Sequence, residues 1–120
     1  MVLVDTSVWV AHFKYANDAL IDLLKSDDVC CHPLIIAELA CGTPPQPRDK
    51  TLRDLSLLRT ATIATMQEIL TFIEQRTLYG KGCGYVDIAI LASALLSKET
   101  KLWTLDKRLS KLAEECNINY

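Results

Sequence analysis

The segment MVLVDTSVWV, residues 1–10, contains a short apolar run that stops abruptly at an acidic residue. Residues 2–4 are apolar and mostly β-branched, which is typical of a strand buried on both faces of a parallel sheet. Residues 6–13 carry apolar side chains at a spacing that suits a short helix. The segment therefore predicts a buried strand that ends in Asp5 and leads directly into a helix.

Similar apolar runs recur along the chain and alternate with helical patterns. VCC (29–31) and KLWTLD (101–106) predict further strands, and INY (118–120) predicts a last edge strand. Further helices are predicted at residues 17–28, 33–42, 48–60, 65–78, 87–100 and 107–116. The proline-rich stretch TPPQPRD predicts a surface loop. Alternating strands and helices predict an α/β fold, a three-layer α/β/α sandwich with a central, mostly parallel sheet, in a single domain over residues 1–120.

The composition limits the function classes and the compartment. No apolar run approaches the length that crosses a bilayer. The formal net charge of −2 means that any contact with nucleic acid needs a local basic face. Five cysteines, an odd number with no leader-like segment before them, predict free thiols in a reducing cytosol and hence a cytoplasmic protein. A zinc site from Cys30, Cys31 and His32 is an alternative, although these ligands are crowded and no CxxC pair is present.

The stretch YGKGCGYVD, residues 79–87, holds three of the four glycines and raises the question of a phosphate-binding loop. A dinucleotide fingerprint needs its glycines after a strand, but a helical pattern precedes these. A P-loop needs a hydroxyl residue after its lysine, whereas Gly82 follows Lys81. The stretch therefore favours a turn between two helices that places Asp87 at the start of the second.

Three aspartates stand where strands end or a helix begins. Asp5 and Asp106 follow strands, so both are expected at the carboxyl edge of the sheet, where ligand sites of parallel sheets lie. Asp87 begins a helix that is apolar on nearly all sides. Each of them alone could be a helix N-cap, although none has Glu or Gln three residues later to form a capping box.

A fourth acid, Glu38, lies inside the apolar helix segment LIIAELA. Its same-face neighbours are Leu34, Ile35 and Cys41, so its carboxylate is expected in an apolar stripe, where it is costly unless paired or bound to a cation. Alternatively, it points to solvent from the helix edge.

If the four acids lie close together, their carboxyl groups cannot all stay ionised without a cation or another compensating group. Hard divalent cations suit such an all-oxygen site, and Mg²⁺ or Mn²⁺ fits better than zinc because the chain offers no histidine pair. The natural chemistry of this arrangement is metal-assisted hydrolysis of a phosphodiester.

Four segments in this order resemble those of a known family. VLVDTSVWV, IIAELACG, LYGKGCGYVDIAILASALL and LWTLDKRL together span nearly the whole chain. Each segment alone is a weak match, but the set is similar to PIN-domain ribonucleases and, within them, to the VapC toxins of toxin–antitoxin pairs.

The resemblance implies a Mg²⁺-dependent endoribonuclease that cuts tRNA or ribosomal RNA, with Mn²⁺ as a substitute ion. It also implies a VapB-like antitoxin as partner and a homodimer. Small hydroxyl residues, Thr6, Ser7 and Thr104, match positions near the metal-bound waters of the family. The residues that it assigns to catalysis and to the metal are Asp5, Glu38, Asp87 and Asp106.

Two other functions remain open from the sequence. A receiver-like phospho-acceptor domain has a similar size, but it needs paired acids after the first strand, and Thr6 follows Asp5. A non-catalytic RNA-binding scaffold would also fit. Basic residues could hold phosphates and aromatic residues could stack on bases, or they could be ordinary surface and packing groups. These residues are Lys14, Arg48, Lys50, Arg53, Lys81, Lys107 and Arg108, and Trp9, Tyr85 and Trp103.

Overall fold

The computed structural model describes all residues from 1 to 120 and contains four strands and seven helices. The strands are β1 (Val2–Val4), β2 (Val29–Cys31), β3 (Arg59–Thr60) and β4 (Lys101–Trp103). The helices are α1 (Thr6–Lys14), α2 (Asp18–Lys25), α3 (Pro33–Ala40), α4 (Arg48–Ser56), α5 (Met66–Arg76), α6 (Tyr85–Leu96) and α7 (Lys107–Glu115). Each helix predicted from the sequence is present, with ends shifted by a few residues. No helix combines the length and the apolar character that crossing a bilayer requires.

The strands form one sheet in the order β3-β2-β1-β4, and every pairing is parallel. The first strand of the chain lies inside the sheet, between β2 and β4. Parallel neighbours need crossover connections, and here the crossovers are helical and flank the sheet. The predicted α/β/α sandwich is therefore confirmed, with a sheet that is wholly rather than mostly parallel.

The strand β3 is a correction to the sequence prediction, which placed Arg59 and Thr60 at the end of a helix. The helix α4 stops at Ser56, and the two residues instead pair with β2 at the edge of the sheet. Both are exposed and polar, so no apolar pattern marks them as a strand. An ion pair of 2.7 Å between the Arg59 guanidinium and Asp27 accompanies the pairing.

The predicted edge strand at residues 118–120 is wrong as a strand. Only one bridge forms, between Leu102 and Asn119. The Leu102 N–H donates to the Ile118 carbonyl at 2.7 Å, and the Tyr120 N–H donates to the Leu102 carbonyl at 3.0 Å.

The helix α6 is the most deeply buried helix and fixes one side of the later site. Seven consecutive residues, from Ile88 to Ala94, are buried, which explains why the sequence shows no polar face there. α6 packs against α5, α7 and β4. Because it is held from several sides, its first turn, which carries Asp87, has a well-defined position.

The glycine stretch joins α5 to α6, as predicted. Gly80 and Gly82 have φ angles of +70° and +82°, a left-handed conformation that glycine adopts at little cost. The next helix begins at Tyr85 with Gly84 at its N-cap. Asp87 is therefore the third helical residue and not the cap, which corrects the cap interpretation for this aspartate.

Candidate active site

Asp5 is a buried carboxylate, only 5% exposed, at the carboxyl end of β1. It occupies the N-cap position of α1, but its side chain makes no capping hydrogen bond. Instead, its Oδ2 accepts hydrogen bonds from Ser7 Oγ and from Thr104 Oγ1, each at 2.8 Å. A buried carboxylate requires such donors, because it has lost its contact with water. Asp5 is thus at the N-cap position without capping the helix through its side chain, which is held by one hydroxyl in the first turn of α1 and one just after β4.

The same hydroxyls extend the network to the segment after β4. Thr104 Oγ1 accepts from the Asp106 N–H at 3.0 Å, and Ser7 Oγ accepts from the Leu105 N–H at 3.0 Å. Each hydroxyl therefore donates to a carboxylate and accepts from the backbone. This arrangement fixes the strand end that carries Asp106 beside the strand end that carries Asp5.

Asp106 is the N-cap of α7, with its Oδ1 accepting from the Leu109 N–H at 2.9 Å. The cap interpretation is correct for this aspartate. The residue is exposed, and no protein group donates to its Oδ2. A capping role therefore leaves one carboxylate oxygen available to another ligand.

Asp87 is half-buried in the first turn of α6. Burial raises the pKa of its carboxyl, and the negative charges of Asp5 and Asp106 raise it further, with a smaller effect from Glu38. The Gly84 backbone N–H opposes these effects. The pKa of Asp87 therefore responds to the charges of all three other acids.

Glu38 differs from its expected setting. Ile35 is buried, but Glu38 and Cys41 are exposed, so the carboxylate stands on the solvent edge of α3 and not in an apolar stripe. Its Oε1 accepts a hydrogen bond of 2.6 Å from Thr6 Oγ1. This bond ties α3 to the first residue of α1, immediately after Asp5.

The sequence predicts Thr6, Ser7 and Thr104 only as small hydroxyls near metal-bound waters. In the structure all three donate directly to carboxylates of the site. The sequence signal for this role is the Asp-Thr-Ser run at the junction of a strand and a helix. The partner hydroxyl after β4 has no comparable local signal, because its acceptor lies 99 positions away in the chain.

The donor set can be tested against a divalent cation. No group of three or more His, Cys, Asp or Glu side chains is spaced to hold an ion directly. Hydroxyl groups nevertheless link Glu38 to the residue after Asp5, and Asp5 to the backbone of Asp106, and the donor atoms of the acids are all oxygens. Mg²⁺ is commonly bound through one or two carboxylates while it keeps several waters. The residues present therefore fit a hydrated hard cation better than a dry, fully coordinated one.

The two histidines have structural roles. His32 is buried, and its Nδ1 caps α3 by accepting from the Leu34 N–H at 3.0 Å. Burial lowers the pKa of this imidazole. His12 Nδ1 accepts from the Asn17 N–H at 2.9 Å. In both rings one nitrogen is thus committed to a backbone donor.

Three of the basic residues that could contact RNA already interact with other groups of the protein. Arg48 donates to the Gly42 and Ala40 carbonyls at the end of α3. Lys50 and Arg53 form ion pairs within α4. Trp9 is 3% exposed and belongs to the core, so it cannot stack on a base.

The other aromatic candidates are more accessible. Trp103 is half-buried and packs on Tyr120, with ring centroids 5.1 Å apart. Tyr85, at the start of α6, is exposed.

Comparisons with known proteins identify the family. The PIN domain model matches residues 2–115 of the chain. The protein is 42% identical to "Ribonuclease VapC32" of Mycobacterium tuberculosis strain H37Rv over 118 residues, which cover 98% of this chain and 94% of that protein. The protein of the same name from strain CDC 1551 gives the same values. The chain therefore belongs to the PIN domain family and, within it, to the VapC ribonucleases.

Proposed function

We propose that the protein is the Mg²⁺-dependent endoribonuclease toxin of a type II toxin–antitoxin system and that it cuts structured RNA, tRNA or rRNA. The observation that carries the proposal is the buried Asp5 carboxylate, which Ser7 and Thr104 hold in one orientation beside other acids. Family membership and the name of the VapC32 relatives support RNA as the substrate.

The proposed site has four carboxylates, which we assign both to catalysis and to the metal: Asp5, Glu38, Asp87 and Asp106. When bound, Mg²⁺ or Mn²⁺ would lower the pKa of a bound water and neutralise charge on the in-line transition state. The protein's own part is to fix the ligands before the ion arrives. Ser7 and Thr104 orient Asp5, Thr6 orients Glu38, and the packing of α6 fixes Asp87. Preorganised ligands bind with less loss of conformational freedom.

We also propose a VapB-like antitoxin as partner, a homodimer as the assembly and the cytoplasm as the compartment. The names of the VapC32 relatives support the antitoxin. A cavity of about 480 Å³ lies beside Glu38 and includes Val10, Phe13 and Lys14 of α1. A polypeptide seated there would lie against the site. Exposed apolar side chains on α5 and α6, namely Met66, Leu70 and Leu96, support a further protein contact.

The test is cleavage of a labelled stem-loop RNA by the purified protein, with Mg²⁺ and with EDTA. We expect cleavage only with the ion, and none from the D5N variant, because the amide removes the charge that Ser7 and Thr104 orient. The matched control is D22N, since Asp22 is exposed on α2 and its side chain makes no hydrogen bond. Equal cleavage by the D5N and D22N variants would refute the proposed function.

A non-catalytic RNA-binding protein is the second candidate, since no three side chains are spaced for direct metal coordination. A metal that binds only the folded state at a hundred times its Kd stabilises it by about 2.7 kcal/mol. The nuclease proposal therefore expects Mn²⁺ to raise the melting temperature of wild-type protein and not of the D5N variant. An unchanged wild-type melting temperature would favour the scaffold.

A further inference from the structure

Arg108 reaches from α7 to the glycine turn that precedes α6. It is the second residue of the helix, two positions after Asp106. Its side chain bends over the turn, and its Nη1 donates to the Gly82 carbonyl at 3.4 Å. The residue is exposed, and this long contact is the hydrogen bond that its side chain makes within the protein.

Gly82 makes this contact possible in two ways. Its φ angle of +82° is one that residues with a side chain rarely adopt. In addition, a Cβ at this position would lie 2.7 Å from Arg108 Cδ and 3.0 Å from its Nε. Any side chain at position 82 would therefore displace the guanidinium.

The guanidinium lies near the acidic cluster without being neutralised by it. The pKa of the neighbouring Cys83 thiol reflects both the acids and the guanidinium. Burial raises this pKa, the charges of Asp87 and Asp106 raise it further, and the charge of Arg108 lowers it. Yet the only ion pairs in the protein, with N–O distances up to 4.0 Å, are Lys50–Asp54, Arg53–Asp49 and Arg59–Asp27. Arg108 has five N–H donors and uses one of them for the Gly82 carbonyl.

We propose that Arg108 binds a backbone phosphate of the RNA strand at the edge of the acidic cluster and that Gly82 holds the guanidinium in place for it. The inference rests on the RNA-cleaving function proposed above. A cluster of carboxylates repels a polyanion, so an adjacent fixed cation offsets that repulsion where the strand must approach. The planar guanidinium fork matches the geometry of a phosphate, and it forms strong charge-assisted hydrogen bonds.

The first test measures equilibrium binding of the labelled stem-loop RNA in EDTA, over a range of salt concentrations. We expect R108Q to weaken binding about tenfold, the order expected for a lost hydrogen bond to a charged group. The dependence of log K on log salt should become less steep by about 0.7, since one phosphate contact is lost. The matched control is R59Q, because Arg59 is exposed but already paired with Asp27 and lies in β3 at the opposite edge of the sheet.

The second test separates the placement of the guanidinium from its charge. G82A should weaken RNA binding several-fold in wild-type protein and add little in the R108Q background. G80A is the matched control, because Gly80 has a similar φ angle of +70° but no atom lies within 4 Å of the point that a Cβ would occupy there. Both alanine variants carry backbone strain, whereas only G82A displaces Arg108.

The outcomes distinguish this inference from the function on which it rests. Metal-dependent cleavage by wild-type protein with unchanged affinity, salt slope and KM in R108Q would overturn the phosphate contact and leave the nuclease intact. Absence of cleavage with an R108Q binding defect would overturn the nuclease and support the contact. Failure of wild-type protein to bind the RNA at all would overturn both.

Discussion

The hydroxyl of Thr104 gives a quantitative test of how Asp5 is held. The substitution T104V keeps the shape of the side chain but removes the donor to Asp5 Oδ2 and the acceptor of the Asp106 N–H. Asp5 is only 5% exposed, so water cannot easily replace the lost donor. Asp106 is exposed, so its N–H can donate a hydrogen bond to water in place of Thr104.

The expected cost follows from this asymmetry. A hydrogen bond to a charged group contributes about 1.5–3 kcal/mol, and the exposed N–H adds little. We therefore expect T104V to lower the free energy of unfolding by about 2 kcal/mol. T104S keeps the hydroxyl and loses one methyl group from a half-buried site, so its cost should stay below about 0.8 kcal/mol.

Urea denaturation followed by far-ultraviolet circular dichroism measures these costs. With an ordinary dependence on urea, the midpoint of T104V should fall by on the order of 1 M. The matched control is T100V, because Thr100 is 6% exposed and its hydroxyl donates to a neutral carbonyl, that of Lys98, at 3.1 Å. That loss should cost about 1 kcal/mol.

A double-mutant cycle locates the effect at the carboxylate. In a D5N background the acceptor is neutral, so the cost of T104V should shrink toward that of T100V. If T104V costs no more than T100V in the wild-type background, then Thr104 does not hold a charged Asp5 and the reasoning fails.

Three further predictions concern ionisable groups outside this clamp. In EDTA, D87N should raise the melting temperature at pH 7, because burial and neighbouring carboxylates raise the pKa of Asp87 and its ionised form destabilises the fold above that pKa. With Mg²⁺ present, the same variant should lose RNA cleavage; a lower melting temperature in EDTA would contradict the prediction. Burial lowers the pKa of His32, so the stability from its neutral ring is present above about pH 6.5 and is lost as the pH falls toward the lowered pKa. H32N keeps a capping acceptor that does not titrate, so the free energy of unfolding from denaturation curves should fall less with decreasing pH in this variant than in wild-type protein. A thiol reagent at neutral pH should label exposed Cys41 first, because burial raises the pKa of Cys31 to about 11. If the C41S variant still shows a rapid phase of thiol labelling, this order is wrong.

The fold was predictable where the chemistry of a segment allows one structure. The apolar residues of β1, stopped by Asp5 and followed by a helix pattern, specify a buried strand and its carboxyl end. β3 was not predictable, because Arg59 and Thr60 are exposed and owe their conformation to pairing with β2. Its existence is a tertiary effect, and no local pattern reports it.

The surroundings of the site residues were less predictable than their identity. The helix α3 is apolar at nearly every position, so its periodicity does not show which face is buried, and Glu38 proved to lie on the exposed edge. For the aspartates, the sequence could not distinguish a cap from a first-turn residue. That difference depends on where α6 begins, which Gly84 decides, and on the donors that reach Asp106 and Asp5.

The bond between Asp5 and Thr104 joins residues that are 99 positions apart, at the ends of two strands that are neighbours in the sheet. During synthesis on the ribosome, β1 emerges early, but the edge that pairs with β4 stays unpaired until β4 has also emerged. The orientation of Asp5 is therefore completed only when almost the whole chain has left the exit tunnel. A polypeptide that is interrupted before β4 therefore lacks the Thr104 hydroxyl and cannot hold the Asp5 carboxylate in this orientation.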